Sequence, residues 1–423
     1  MSAEPGRTLP RGLMALGERN YLLYFIGHST SQIGTWIEQT AVAWILYEMT
    51  NSTVLLGLGG LSRAAPMILL ALIGGAVADR LPRRPLLILT ESSMLVVSLV
   101  MGMLAITGHL QFWHLYLLNL ASGTLYAFSV PARQALFPEL VPRSFISSAI
   151  TLNAVAVRIA IFIGPSIAGI ALAFSGYAAP FLLNAASFLA MLAALMAMRL
   201  PAAAPVRGIA RRSLDRLHAD MVEGIAFVWR SPLLKAVLGL ELLAGFFGHN
   251  SALITIIARD VLGTGPQGLG SLLSALGAGA LFGMLLMLVF HTEQRVRLIL
   301  IAGSIYTLLL IGFGLSAWLW LSMALLFGLG AADGIWGVAR NTVVQLAVPD
   351  ALRGRVMSMV FLVTRGSTPL GQVNTGLFAS LIGGPATALL GAALVGVGLA
   401  GAGLRIPALR ASGQGPGSRL NPS

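Results

Sequence analysis

No cysteine occurs among the 423 residues, so disulfides, thiolate metal sites and redox dithiols are all excluded. Charge is nearly as scarce: Asp, Glu, Lys and Arg together make up 10% of the chain, against about 25% in soluble domains, and Lys235 is the single lysine. Three functional signatures are missing as well. Without H-E-x-x-H or G-x-S-x-G there is no zinc-peptidase or serine-hydrolase constellation, and without G-x-x-x-x-G-K-[ST] there is no phosphate-cradling loop for ATP. His109 and His114 have no carboxylate or cysteine beside them and read as interfacial polar residues. No enzyme activity, metal or cofactor is expected.

What the chain has instead is apolar length. Apolar residues make up 57% of it, and windows of about twenty residues give twelve candidate membrane spans. These run from 21 to 47, 54 to 78, 86 to 107, 112 to 130, 146 to 173, 178 to 199, 233 to 257, 268 to 290, 297 to 316, 318 to 340, 355 to 381 and 385 to 404. The first window is too long for a signal-peptide core and has no small-residue cleavage pattern, so it stays as a span. The fold class is therefore all-α integral membrane. A formal charge of +12 does not point to nucleic acid, because the arginines sit in short segments between apolar runs rather than on one folded face. With the amino terminus inside, 23 of the 27 basic residues fall in inner segments, which places both termini in the cytoplasm.

The longest polar segment divides the spans six and six. The expected organisation is a cytoplasmic segment at 1–20, a six-helix bundle at 21–199, a linker with an amphipathic surface helix at 200–232, a second six-helix bundle at 233–404 and a disordered tail at 405–423. In the linker Leu214, Leu217, Met221, Ile225 and Val228 recur at helical spacing. A shift of 207 positions superposes the halves: Gly123 meets Gly330, Ala132 meets Ala339, Arg133 meets Arg340, Val141 meets Val348, Pro142 meets Pro349, Arg158 meets Arg365, Gly164 meets Gly371 and Gly169 meets Gly376. The fourth and fifth spans are thus copied as the tenth and eleventh, a parallel repeat about a pseudo-twofold axis.

The turn between the second and third spans, GGAVADRLPRRPLL from Gly74 to Leu87, holds Asp79, Arg80, Arg83 and Arg84 and cannot lie in hydrocarbon. With Gly75 it resembles the G-x-L-A-D-R-x-G-R-K signature of the major facilitator superfamily, with Pro82 where glycine is usual. The stretches from Pro131 to Asn153, Arg158 to Gly169 and Phe227 to Leu234 are similar to the branch that includes the bacterial enterobactin exporter and relatives of the macrolide efflux pumps. Asn119 stands near the place of the fourth-helix arginine of drug antiporters. The resemblance implies two six-helix bundles around a midplane cavity. It further implies proton-driven export of a medium-sized organic molecule by a monomer in the bacterial inner membrane, whose partners are the small-molecule substrate, protons and the lipid bilayer. It also implies a conformational latch of Gly75, Asp79, Arg80, Arg83 and Arg84, with Glu91 near enough to join.

Seven charges fall inside the expected spans: Glu38, Arg63, Glu91, Arg158, Glu241, Asp333 and Arg365. Each costs roughly 2.5 to 3.5 kcal/mol at a bilayer centre and so needs a partner, a wet cavity or a neutral state. Glu38 and Arg63 lie at similar depth on adjacent helices and are expected to pair. Glu241, Asp333 and Glu38 are the proton-carrier candidates; an acid could equally bind a cationic substrate or pair with an arginine across helices. On the first span His28, Gln32, Thr35 and Gln39 form one polar stripe, lining either a cavity or a polar neighbour. Given the family, the first, fourth, seventh and tenth helices surround the cavity, which adds Asn119, Tyr126, His249 and Trp336. The repeat-related Arg158 and Arg365 face either an anionic substrate or backbone carbonyls within their bundles. Lipid or lysophospholipid movement, and a facilitator without proton coupling, are the alternatives within this fold.

Overall fold

In hydrocarbon a spanning segment must close its backbone hydrogen bonds internally, so long apolar runs become helices. A computed structural model describes residues 11–199, 223–289 and 294–405, and among the described residues there is no strand. The helices are α1 (Arg19–Thr50), α2 (Thr53–Leu69), α3 (Ala71–Arg80), α4 (Arg83–Ile106), α5 (Phe112–Leu136), α6 (Ile146–Ser175), α7 (Ala178–Ala197), α8 (Pro232–Phe247), α9 (Ser251–Ile256), α10 (Pro266–Val289), α11 (Arg295–Leu315), α12 (Leu319–Ala347), α13 (Asp350–Ile382) and α14 (Gly384–Arg405). Eight helical stretches are long and apolar enough to cross a membrane, and α2 with α3, bent by 47° one turn beyond Pro66, makes a ninth. The 32-residue α1, 25-residue α5 and 33-residue α13 are also of crossing length and bring the set to twelve. These three are more polar than the others: α1 carries His28, Gln32, Thr35, Glu38 and Gln39, α5 carries Asn119 and Tyr126, and α13 carries Arg365.

The chain divides into two compact units. The first takes residues up to Thr50 and Ser62–Ala210; the second takes Asn51–Leu61 and residues from Arg211 onward. In the first unit α1 packs on α6 and α7, α4 on α5 and α7, and α3 on α5. In the second, α8 packs on α13 and α14, α11 on α12 and α14, and α10 on α12. Helix for helix this is one pairing scheme used twice, as the 207-residue repeat requires. One identity in the repeat has a common packing reason. A β-carbon at Gly164 would press on the Trp36 β-carbon and sit 3.3 Å from the Ile33 carbonyl, and one at Gly371 would press on the Gly245 carbonyl and sit 3.1 Å from that of Phe246. Glycine lets α6 approach α1, and α13 approach α8, backbone to backbone.

The turn before α4 is closed by Pro82, at φ −57°, whose carbonyl accepts from the Leu86 N–H. Of the expected surface helix only residues 223–230 lie within the described residues; they are helical, with Val228 buried and Ile225 exposed. The rest of that helix and the expected tail lie outside the described residues.

Candidate functional site

Burying a charge is costly unless it is paired and hydrogen-bonded. The candidate sites therefore lie where charged side chains leave the surface, and each unit has such a place.

In the first unit Glu38 sits in the middle of α1, 3% exposed. Its Oε2 accepts from the Ser98 hydroxyl at 2.6 Å and from the Asn184 amide at 2.7 Å, while Ser187 donates to the Asn184 carbonyl and to its Oδ1. Gly34 makes the room: a β-carbon there would collide with the Ser187 hydroxyl and lie 2.6 Å from Asn184 Oδ1. The expected Glu38–Arg63 pair does not form. Similar depth on adjacent helices does not fix azimuth, and α1 turns Glu38 toward α4 and α7. Neutral donors satisfy it there, and no cation lies within pairing distance among the described residues.

A second cluster of this unit contains two arginines. Arg133 near the end of α5 donates to Glu91 of α4 at 2.6 Å, and both side chains are sealed, 7% and 0% exposed. Arg63 lies 4.8 Å, and Arg133 5.6 Å, from the centroid of the Tyr126 ring. The Tyr126 hydroxyl bonds Thr35 Oγ1 at 2.8 Å. His28, buried, stacks on Tyr24 with centroids 5.3 Å apart, and both rings lie in the field of Arg133. Gln32 and Gln39 are half-buried and Asn119 is buried. The polar stripe of α1 thus divides, with Thr35 and His28 packing on polar neighbours within the unit.

In the second unit Arg340 of α12 forms an ion pair with Glu241 of α8, the side chains 9% and 14% exposed. Arg340 also donates to Asn341 Oδ1 at 3.3 Å from Nε and Nη2. Asp333, two turns before Arg340 and exposed, acts electrostatically on Glu241, His249 and Tyr306. Between α8 and α9 the helix is interrupted at Gly248, His249 and Asn250. The Tyr306 hydroxyl holds the break: it accepts from the His249 N–H at 2.9 Å and lies 2.9 Å from Nδ1. Asn250 caps α9 by accepting from the Leu253 N–H, and its amide donates to Thr375 Oγ1 at 2.7 Å. Trp336 is buried edge-on against Tyr306, its Nε1 without a partner among the described residues.

The remaining sequence candidates lie apart from these clusters. Arg158 is half-buried, and Arg365 is exposed with Phe361 5.7 Å away, so the repeat-related pair has unlike surroundings. In the charged turn Asp79 and Arg80 are exposed. Arg83 pairs with Glu139 and donates to the Ala135 carbonyl, and Arg84 donates to the Met196 carbonyl. Glu91 joins Arg133 rather than these arginines. At Gly75 a β-carbon would meet nothing, whereas Gly74 lies against the Ala127 carbonyl. The expected span at 112–130 leaves Arg133 in a loop and the one at 318–340 leaves Arg340 at its very end, so neither stands among the expected buried charges. Their pairing in the repeat was the available signal. Nothing in the sequence marked Ser98, Asn184 or Tyr306.

Comparison with known proteins agrees with this architecture. The chain is 27% identical over 335 residues to the enterobactin exporter EntS of Shigella boydii, covering 78% of each chain. It is 25% identical over 382 residues to the multidrug efflux pump Tap of Mycolicibacterium fortuitum, covering 87% of this chain and 91% of that one. Among solved structures, a bacterial homologue of the human lysosomal transporter Spinster superposes with a TM-score of 0.70 at 15% identity, over 95% of this chain and 98% of that one, which speaks to fold alone. The family described as transmembrane secretion effector matches residues 13–423. A chain matched over that span, with one helix-pairing scheme used twice, belongs to the transmembrane secretion effector family: it is a multi-pass membrane transporter of the major facilitator fold.

Proposed function

We propose that the protein is a proton-driven exporter of a medium-sized organic molecule, siderophore-like or drug-like, working by alternating access. It acts as a monomer in a bacterial inner membrane, with both termini in the cytoplasm. The names of its relatives EntS and Tap support the direction of transport and the substrate class. The observation that carries the coupling is the Glu241–Arg340 pair with Asp333 close enough to act on Glu241. A proton on Glu241 removes half of that pair and leaves Arg340 with a charge to satisfy elsewhere; Asp333, on the same helix, is the neighbouring acid. Loading and unloading one proton therefore repartitions charge between α8 and α12, which is what an ion-coupled rearrangement needs. Glu38, held by neutral donors alone, is a further proton carrier in this reading, and Asp79 with Arg80, Arg83 and Arg84 acts as the latch.

Flux in reconstituted liposomes under an imposed pH gradient tests the proposal, with a catecholate siderophore, a macrolide and a cationic dye as the panel. Movement of at least one of them should follow the gradient and collapse with a protonophore. Glu241→Gln and Asp333→Asn should each reduce it to the rate of protein-free liposomes while membrane insertion is kept. Full gradient-driven transport by both variants would remove the coupling assignment. Flux indifferent to the gradient would move the function to facilitated diffusion or lipid transport.

A further inference from the structure

A guanidinium within a membrane span must be paired, reach the interface or meet water. Arg63 does neither of the first two. It lies ten residues into α2, about 15 Å along the helix from its first residue and so near the middle of a hydrocarbon core about 30 Å thick. No carboxylate is within pairing distance among the described residues; Glu38, the acid at its depth, is taken by Ser98 and Asn184, and Glu91 is taken by Arg133. What Arg63 does have is the face of Tyr126, 4.8 Å away, itself fixed through its hydroxyl to Thr35. An aromatic face stabilises the cation but uses none of its five N–H donors. Those donors are not sealed either, since Arg63 is half-buried and its nitrogens are absent from the buried unpartnered atoms.

Charge bookkeeping within the unit points the same way. At membrane depth the first unit holds Glu38 and Glu91 against Arg63, Arg133 and Arg158, an excess of one positive charge even with both acids ionised. Arg133 is neutralised and buried, so the excess is carried by the arginines with open donors.

We infer that Arg63, stacked on Tyr126, is an anion subsite of the first unit that receives the carboxylate or sulfonate of an amphipathic organic substrate. The planar fork takes the anion bidentately on its free edge while Tyr126 holds the plane from its face. A lipid headgroup is a poor occupant at this depth, because its phosphate would have to sink about half the hydrocarbon thickness. This site presupposes the transporter reading above and narrows its substrate to organic anions.

Equilibrium binding tests the site without any gradient. The full chain in phosphatidylcholine nanodiscs is titrated with three pyrene probes of one length, ending in a carboxylate, a carboxamide and a trimethylammonium group. The carboxylate should bind roughly tenfold or more tighter than the amide, as a charge-assisted hydrogen bond gives. The ammonium should bind most weakly. Arg63→Gln should erase the preference and Arg63→Lys should keep part of it. Equal binding of all three probes by the unaltered chain, a result needing no variant, would overturn the assignment, as would an Arg63→Gln chain that keeps the preference. Adding phosphatidylglycerol to the nanodiscs should leave carboxylate binding unchanged; competition would give the site to lipid phosphate instead. Carboxylate preference without proton-driven flux would remove the coupling and keep this site, and proton-driven flux without charge preference would do the reverse.

Discussion

Removing Arg133 should be among the most damaging single changes in the first unit. Its guanidinium reaches Glu91 at 2.6 Å, the two side chains are 7% and 0% exposed, and Glu91 Oε2 has no other partner among the described residues. Arg133→Gln leaves Glu91 as a sealed acid facing a neutral amide, and breaking a buried pair in this way costs about 3 to 5 kcal/mol. Replacing both partners is a different perturbation, because no uncompensated charge remains. The double variant Glu91→Gln with Arg133→Gln should therefore be more stable than Arg133→Gln alone. The coupling read from the cycle should be at least about 1 kcal/mol, within the range for contacting residues. Equilibrium unfolding in mixed micelles, followed by tryptophan fluorescence on the four chains of the cycle, supplies the numbers. A single variant that loses less than about 1 kcal/mol, or two losses that simply add, would refute the claim that this pair is buried and mutually dependent.

Three more perturbations follow from the geometry. Gly34→Ala drives a β-carbon into Ser187 and Asn184 and should cost about 1 to 3 kcal/mol in the same unfolding assay, with Ser187→Gly recovering part of the loss. Glu38→Gln keeps an oxygen for Ser98 and Asn184 and should stay within about 1 kcal/mol, whereas Glu38→Leu orphans both donors and should cost about 1 to 3 kcal/mol. Equal losses for the two would show that the carboxylate charge, not its acceptor role, matters to the fold. Tyr306→Phe strips the His249 N–H of its acceptor at the helix break and should cost about 1 to 3 kcal/mol; amide exchange at His249 should quicken, and unchanged exchange would count against the hydroxyl as the brace.

The helices were legible because hydrocarbon allows so few solutions: once a run is about twenty apolar residues long, its backbone must close on itself. The ends were less so. The windows end at 130 and 340, whereas α5 continues to Leu136 and α12 to Ala347; the extra turn of α5 carries Arg133 out of the expected loop, and the extension of α12 puts Arg340 well inside a helix rather than at its end, and both form ion pairs. An apolarity window ends where charge begins, so it is blind to charge that a helix buries. The partner of Glu38 was illegible for another reason. Depth along a helix follows from counting residues, but azimuth decides which neighbour is met, and azimuth depends on packing that glycines such as Gly34 permit.

The two halves keep the arginine and exchange the acid. Arg133 and Arg340 are matched by the 207-residue shift, yet Arg133 takes its carboxylate from α4 and Arg340 takes its from α8. The helix of the second unit that corresponds to α4 is α11, and it contains no acid at all. In the first unit the residues of α1 lying in the field of Arg133 are Tyr24 and His28, buried and stacked on each other, and neither is an acid. The consequence is a difference in what each pair can do. Glu91 is fully sealed and tied to α5, so any change of partner there means breaking packed structure. Glu241 is more accessible, sits on the helix that is interrupted at Gly248, and has Asp333 acting on it. The two repeat-matched arginines thus hold one pair suited to scaffolding and, on the proposed reading, another suited to exchange. The asymmetry yields its own check: Glu91→Gln should lower stability and leave gradient-driven flux in place, whereas Glu241→Gln should abolish that flux, and identical flux from the two variants would contradict the division of labour.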